Sequence, residues 1–161
     1  MKRFLPALVL LVCLVPAPAL AWRGFVEEVL DGSTVTVREE GSGRKVLVRL
    51  YGIAVPKQDP PERAQPYAAE AIAKIRELLP RDLPVDVHDM RQDAVGRDKG
   101  GTVTLPGGRT LQEELLRAGL AWVAPLHCGN CWDWKKMERR ARAEGIGLWS
   151  DDSPVPPWEW Q

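Results

Sequence analysis

Polar and apolar positions alternate along much of the chain, and the points where the period changes mark its elements. Gly24 to Leu30 reads as a first strand, closed by a turn at Asp31-Gly32-Ser33. From Thr34 to Glu39 the period is two, with Val35 and Val37 on one face and Thr34 and Thr36 on the other. Gly41 and Gly43 then supply a hairpin connection. Lys45 to Tyr51 alternates again. Val46, Val48 and Leu50 share the core face, so Leu47, Arg49 and Tyr51 face outward. Pro56, Pro60, Pro61 and Pro66 make Gly52 to Pro66 a loop.

The period changes to helical at Tyr67 to Leu79, where Ala71, Ile75 and Leu78 form a core stripe. Glu70 and Lys74 are expected to pair on its surface. Pro84 to Met90 reads as a fourth strand and Gly100 to Leu105 as a fifth. Leu111 to Ala118 and Cys131 to Glu144 read as helices, ended by Gly119 and Gly145. Three meandering strands and a helix before two more strands is the order of an OB-fold barrel. The expected class is therefore α+β, a five-stranded OB-fold β-barrel with about three α-helices.

The N-terminus departs from this pattern. Lys2 and Arg3 precede an apolar run from Phe4 to Val15, and Ala19-Leu20-Ala21 has the small-x-small form of a cleavage site. Residues 1–21 are expected to be a cleaved signal peptide, which makes the chain secreted or periplasmic. The run is too short to span a bilayer comfortably, so no transmembrane segment is expected after cleavage. The remaining organisation is one domain over residues 22–149 and a Pro/Trp-rich tail over residues 150–161. At 45% hydrophobic and 27% charged, the composition is that of a globular protein and excludes a disordered or coiled-coil chain.

Charge narrows the function. The full chain balances 22 basic against 22 acidic residues, and losing Lys2 and Arg3 leaves a small acidic excess. That argues against a protein that coats DNA in bulk, which needs a basic surface. A local basic face remains at Lys135, Lys136, Arg139, Arg140 and Arg142. It reads first as a solvated face and second as a phosphate-binding stripe. Trp122, Trp132, Trp134 and Trp149 read as packing residues. An exposed patch of Trp132, Trp158 and Trp160 would instead mark a partner surface. Cys13 leaves with the leader. Cys128 and Cys131 then suit a disulfide, a redox pair or half of a zinc site, and the disulfide is favoured in an oxidising compartment.

Taken in order, a set of short motifs resembles the staphylococcal nuclease family, the thermonucleases. They are Asp31-Gly32-x-Thr34-Val35, Arg49-Leu50-Tyr51-Gly52-Ile53, Gln65-Pro66-Tyr67, Gly96-Arg97, Gly119-Leu120-Ala121 and Gly147-Leu148-Trp149. The closing Pro156-Pro157-Trp158-Glu159-Trp160 resembles tails of secreted bacterial members. The resemblance implies calcium-assisted hydrolysis of phosphodiesters in DNA or RNA. It implies that Arg49 and Arg97 are retained catalytic, phosphate-binding positions, since planar guanidinium forks suit a phosphate.

The family's acids are absent at the matching positions. The second Asp of its Asp-Gly-Asp-Thr pattern is Ser33 here, and the Asp and Glu of Gly-Ile-Asp-x-Pro-Glu are Ala54 and Lys57. Three carboxylates become a hydroxyl, a methyl and a cation, whereas Ca²⁺ takes six to eight oxygen ligands. Val95 replaces a family tyrosine, and Pro125 and His127 replace two more that contact the nucleotide. The expectation is a catalytically degenerate domain with no cofactor. It would bind single-stranded nucleic acid, a phosphorylated ligand or an envelope protein, with Lys57, Arg49 and Arg97 forming a three-cation pocket. The alternative is a divergent calcium-dependent phosphodiesterase that recruits Asp31, Asp59 or Glu62 to the metal or the water, and Ca²⁺ is expected only in that case.

Overall fold

Five strands close into a barrel in the order β1-β2-β3-β6-β5. The computed structural model describes residues 21–92, 99–124 and 131–161. In chain order these give β1 (Ala21–Val29), β2 (Thr34–Glu39), β3 (Lys45–Leu50), β4 (Ile53–Ala54), α1 (Ala68–Leu78) and β5 (Pro84–Gln92). There follow β6 (Lys99–Thr104), α2 (Leu111–Arg117), β7 (Trp122–Val123) and α3 (Trp132–Ala143). Short 3₁₀ turns lie at Pro61–Arg63 and Gly147–Ser150. The leader reading of residues 1–20 lies outside the described residues. No helix among those described is long and apolar enough to cross a membrane.

The two-residue period does what it predicts. Val35, Val37, Val46, Val48 and Leu50 are buried, while Leu47 and Arg49 on the opposite face are exposed. Burying one face of each strand supplies the apolar contact that fixes register, because a slip of one residue would turn Val46 and Val48 outward. Closure comes from β3 pairing in parallel with β6, Arg49 opposite Gly100 and Leu50 opposite Gly101. Gly101 is needed there, since a Cβ would stand 2.9 Å from the His88 carbonyl oxygen. Gln112, fully buried on α2, ties the helix to this strand. Its amide donates to the Gly101 carbonyl at 2.9 Å, and its carbonyl accepts from the Val103 N–H at 3.3 Å.

Three expectations change. The first strand starts at Ala21 rather than Gly24, because Ala21, Trp22 and Arg23 pair with His88, Val87 and Asp86 on β5. The helix-surface pair is Lys74 with Glu77, at 2.9 Å, rather than Glu70 with Lys74. A second sheet also exists, in which β4 pairs with β7, Ile53 opposite Val123 and Ala54 opposite Trp122. It docks the loop after the third barrel strand on the helical half of the molecule. Trp122 and Trp149 are buried there, edge to face with centroids 5.7 Å apart.

Candidate nucleic-acid interface

The site predicted from the motifs is built on one end of the barrel. Asp31 folds its carboxylate back over its own turn, accepting from the Ser33 N–H at 2.6 Å and the Ser33 hydroxyl at 2.8 Å. This is an Asx turn, which caps the chain reversal between β1 and β2. The turn is fixed to the next strand as well, since the Leu50 N–H donates to the Ser33 carbonyl at 2.8 Å. Gly32 fits against Val55, where an added Cβ would meet its Cγ2 at 2.8 Å. Asp31, Ser33, Ala54 and Val55 thus belong to one neighbourhood.

Arg49 stands beside that turn. It pairs with Thr34 on β2 and with Gly100 on β6. Neither neighbour puts a bulky side chain over it. Its side chain is exposed, and no acid among the described residues pairs with it. An exposed guanidinium with no described acid beside it is available to an anion. Arg97, Gly96 and Val95 lie outside the described residues, as do Pro125, His127 and Cys128.

Lys57 is drawn elsewhere. Its Nζ donates to the Trp160 carbonyl at 3.3 Å, and its backbone N–H donates to the Gln65 side-chain carbonyl at 2.9 Å. The structure therefore gives the Lys57 amine a partner in the tail, where the sequence suggested a pocket shared with the arginines. The clasp continues on both sides. The Gln65 amide donates to the Val155 carbonyl, the Trp160 indole N–H donates to the Arg63 carbonyl at 3.0 Å, and the Tyr67 and Ser150 hydroxyls bond at 2.6 Å. Gln65 and Trp160 were visible in the sequence as motif residues, but nothing there showed that they join the loop to the tail.

Calcium does not fit the residues present. Ser33 offers a hydroxyl already bonded to Asp31, Ala54 offers a methyl, and Lys57 a cation. Asp59 and Glu62 are exposed on the proline loop. Among the described residues no three His, Cys, Asp or Glu side chains converge to hold a metal ion. Asp31, Asp59 and Glu62 are not brought together.

A separate groove of about 740 Å³ runs between α3 and the tail, lined by Trp122, Glu138, Arg142, Trp149 and Trp158 among others. Arg142 covers Trp149 there, 4.0 Å from the ring centroid. The groove contains none of the residues around Arg49.

Comparison with known proteins agrees with this geometry. A profile of the staphylococcal nuclease homologues matches residues 47–151. The chain is similar to an uncharacterized endonuclease of Escherichia coli, 33% identical over 161 residues, which is all of this chain and 98% of that protein. It is 32% identical over 168 residues to a micrococcal nuclease of Shigella flexneri, covering 99% of this chain and 91% of that one. It is 33% identical over 124 residues to the staphylococcal-like nuclease CAN1 of Arabidopsis thaliana, covering 76% of this chain and 35% of the plant protein.

Proposed function

The chain belongs to the staphylococcal nuclease family, and on that premise we propose that it is an exported nucleic-acid-binding domain whose hydrolytic site is depleted. The observation that carries the proposal is the coincidence of Ser33, Ala54 and Lys57 at the family's acidic positions, in a barrel that keeps Arg49 open beside them. Arg49 would hold a phosphate through its planar fork. Asp31 already accepts from the Ser33 N–H and hydroxyl through its Oδ1, which commits that oxygen to the turn. Loss of a general base alone costs on the order of 10² to 10⁴ in rate. The proposal includes a Cys128–Cys131 disulfide, supported by the close spacing of the two cysteines and the oxidising compartment that the leader-like pattern implies. Export rests on the leader-like pattern of residues 1–21.

The names of the bacterial relatives favour a second reading, a divergent phosphodiesterase using Asp31, Asp59 or Glu62. One assay separates the two. Release of acid-soluble nucleotide from heat-denatured DNA is measured with excess Ca²⁺ and with chelator, for the native protein and a Ser33→Asp, Ala54→Asp, Lys57→Glu variant. The binding proposal expects the native protein to stay at background and the triple variant to cut in a calcium-dependent way. Calcium-dependent cutting by the native protein would overturn it, and Asp31, Asp59 and Glu62 would become the next residues to change.

A further inference from the structure

The cations of α3 divide into two groups. Arg140 is paired with Glu144 at 2.8 Å, and Arg142 is paired with Glu138 at 3.5 Å and stacked on Trp149. Those two are committed within the protein. Lys135, Lys136 and Arg139 form no ion pair among the described residues, and all three are exposed.

Their spacing places them together. Positions 132, 135, 136 and 139 stand at i, i+3, i+4 and i+7 and therefore share one helical face. Trp132 heads that face with 71% of its surface exposed, although an indole of this size is ordinarily buried. Lys135 Nζ lies 5.9 Å from the Trp132 ring centroid. The face spans about 10 Å along the helix axis, from the 1.5 Å rise per residue. Asp133 flanks it on the neighbouring row, and Glu138 is turned towards Arg142 and the Val123 N–H. Core packing does not explain the face, because the buried residue of this helix is Ala141 on another side.

We propose that this face is a second contact surface for single-stranded nucleic acid, with Trp132 as a stacking platform for a base and Lys135, Lys136 and Arg139 as phosphate contacts. An open aromatic ring followed by exposed cations along one helix face is the kind of arrangement that binds single strands without reading sequence. An acidic peptide would satisfy the charges but would leave the indole without a role. The proposal rests on the nucleic-acid reading of the fold and adds a surface on a different element from Arg49.

Fluorescence anisotropy with a labelled dodecamer of thymidine tests it, on the whole protein, across a salt series. Trp132→Ala should weaken binding roughly 5- to 150-fold, the range for losing one stacked base. Trp132→Phe, which keeps a ring, should lose less than about threefold on the same stacking argument. Replacing Lys135, Lys136 and Arg139 together by Gln should reduce the slope of log K against log salt by about 2, at roughly 0.7 per phosphate contact on a single strand. If Trp132→Ala binds like the parent while Arg49→Ala loses binding, the α3 surface is refuted and the nucleic-acid reading stands. If the parent binds no oligonucleotide, both fall. Equal competition by polyglutamate, indifferent to Trp132, would overturn the proposal in favour of an acidic protein partner.

Discussion

Glu27 shows how much one side chain on the barrel surface can organise. Its carboxylate accepts from Arg38 at 2.8 Å and Lys45 at 3.1 Å, with Arg81 at 3.5 Å. The hydrogen bond from Lys45, then that from Arg38, holds its pKa below the ordinary carboxylate value. The ionised form is therefore favoured in the folded state. The stabilisation is fully present above the unfolded value of about 4.3 and is lost as pH falls through the folded value. Urea midpoints of the parent and of Glu27→Gln should differ at pH 7 and converge towards pH 3. A difference that stayed constant over that range would show that the carboxylate's charge contributes nothing. The outward direction of Arg49 was legible in the strand's alternation. The convergence on Glu27 was not, because its partners come from β2, β3 and the turn before β5, and no local pattern records that meeting.

Among the elements, α2 and the turn that follows it have the tightest geometry. Thr110 and Glu113 form a capping box, the Thr110 hydroxyl accepting from the Glu113 N–H at 3.2 Å and the Glu113 carboxylate from the Thr110 N–H at 3.0 Å. The other end depends on Gly119, at φ +64°, where an added Cβ would stand 2.1 Å from the Ile146 carbonyl oxygen. The Leu148 N–H donates to the Gly119 carbonyl at 2.9 Å, which brings the end of α3 against the end of α2. Gly119→Ala should cost at least about 2 kcal/mol, from left-handed strain plus a backbone collision. Thermal denaturation checks it, and an unchanged midpoint would mean the two turns separate freely. The helices and long strands were legible because each spans several periods. Strands β4 and β7 were missed because two residues show no period, and their pairing depends on the Gly52 carbonyl meeting the Ala124 N–H at 2.9 Å, 72 positions apart in the chain.

At the scale of the whole molecule, the proline loop and the C-terminal tail behave as one unit. The bonds from Lys57, Gln65, Tyr67 and Trp160 join segments about 90 residues apart; Lys57 and Gln65 donate to tail carbonyls, and Trp160 donates to a loop carbonyl. Deleting residues 151–161 should release the loop, and trypsin should then cut after Lys57 or Arg63 faster than in the parent. Equal rates would mean the loop holds its shape without the tail. The candidate site was legible in part for the same reason. Ser33, Ala54 and Lys57 stood out against a family pattern, but the destination of the Lys57 amine depends on a tail whose path the sequence does not give.

That junction bears on how the protein is handled. The carbonyl that receives Lys57 belongs to Trp160 of the tail. A purification tag or fluorescent group attached beside Trp160 would begin next to that bond and would load the proline loop. A fusion placed directly before β1 reaches the barrel instead. Measurements of binding from the two fusion designs are therefore measurements on two differently tethered loops, and their comparison reads the tail's influence without any substitution in the chain.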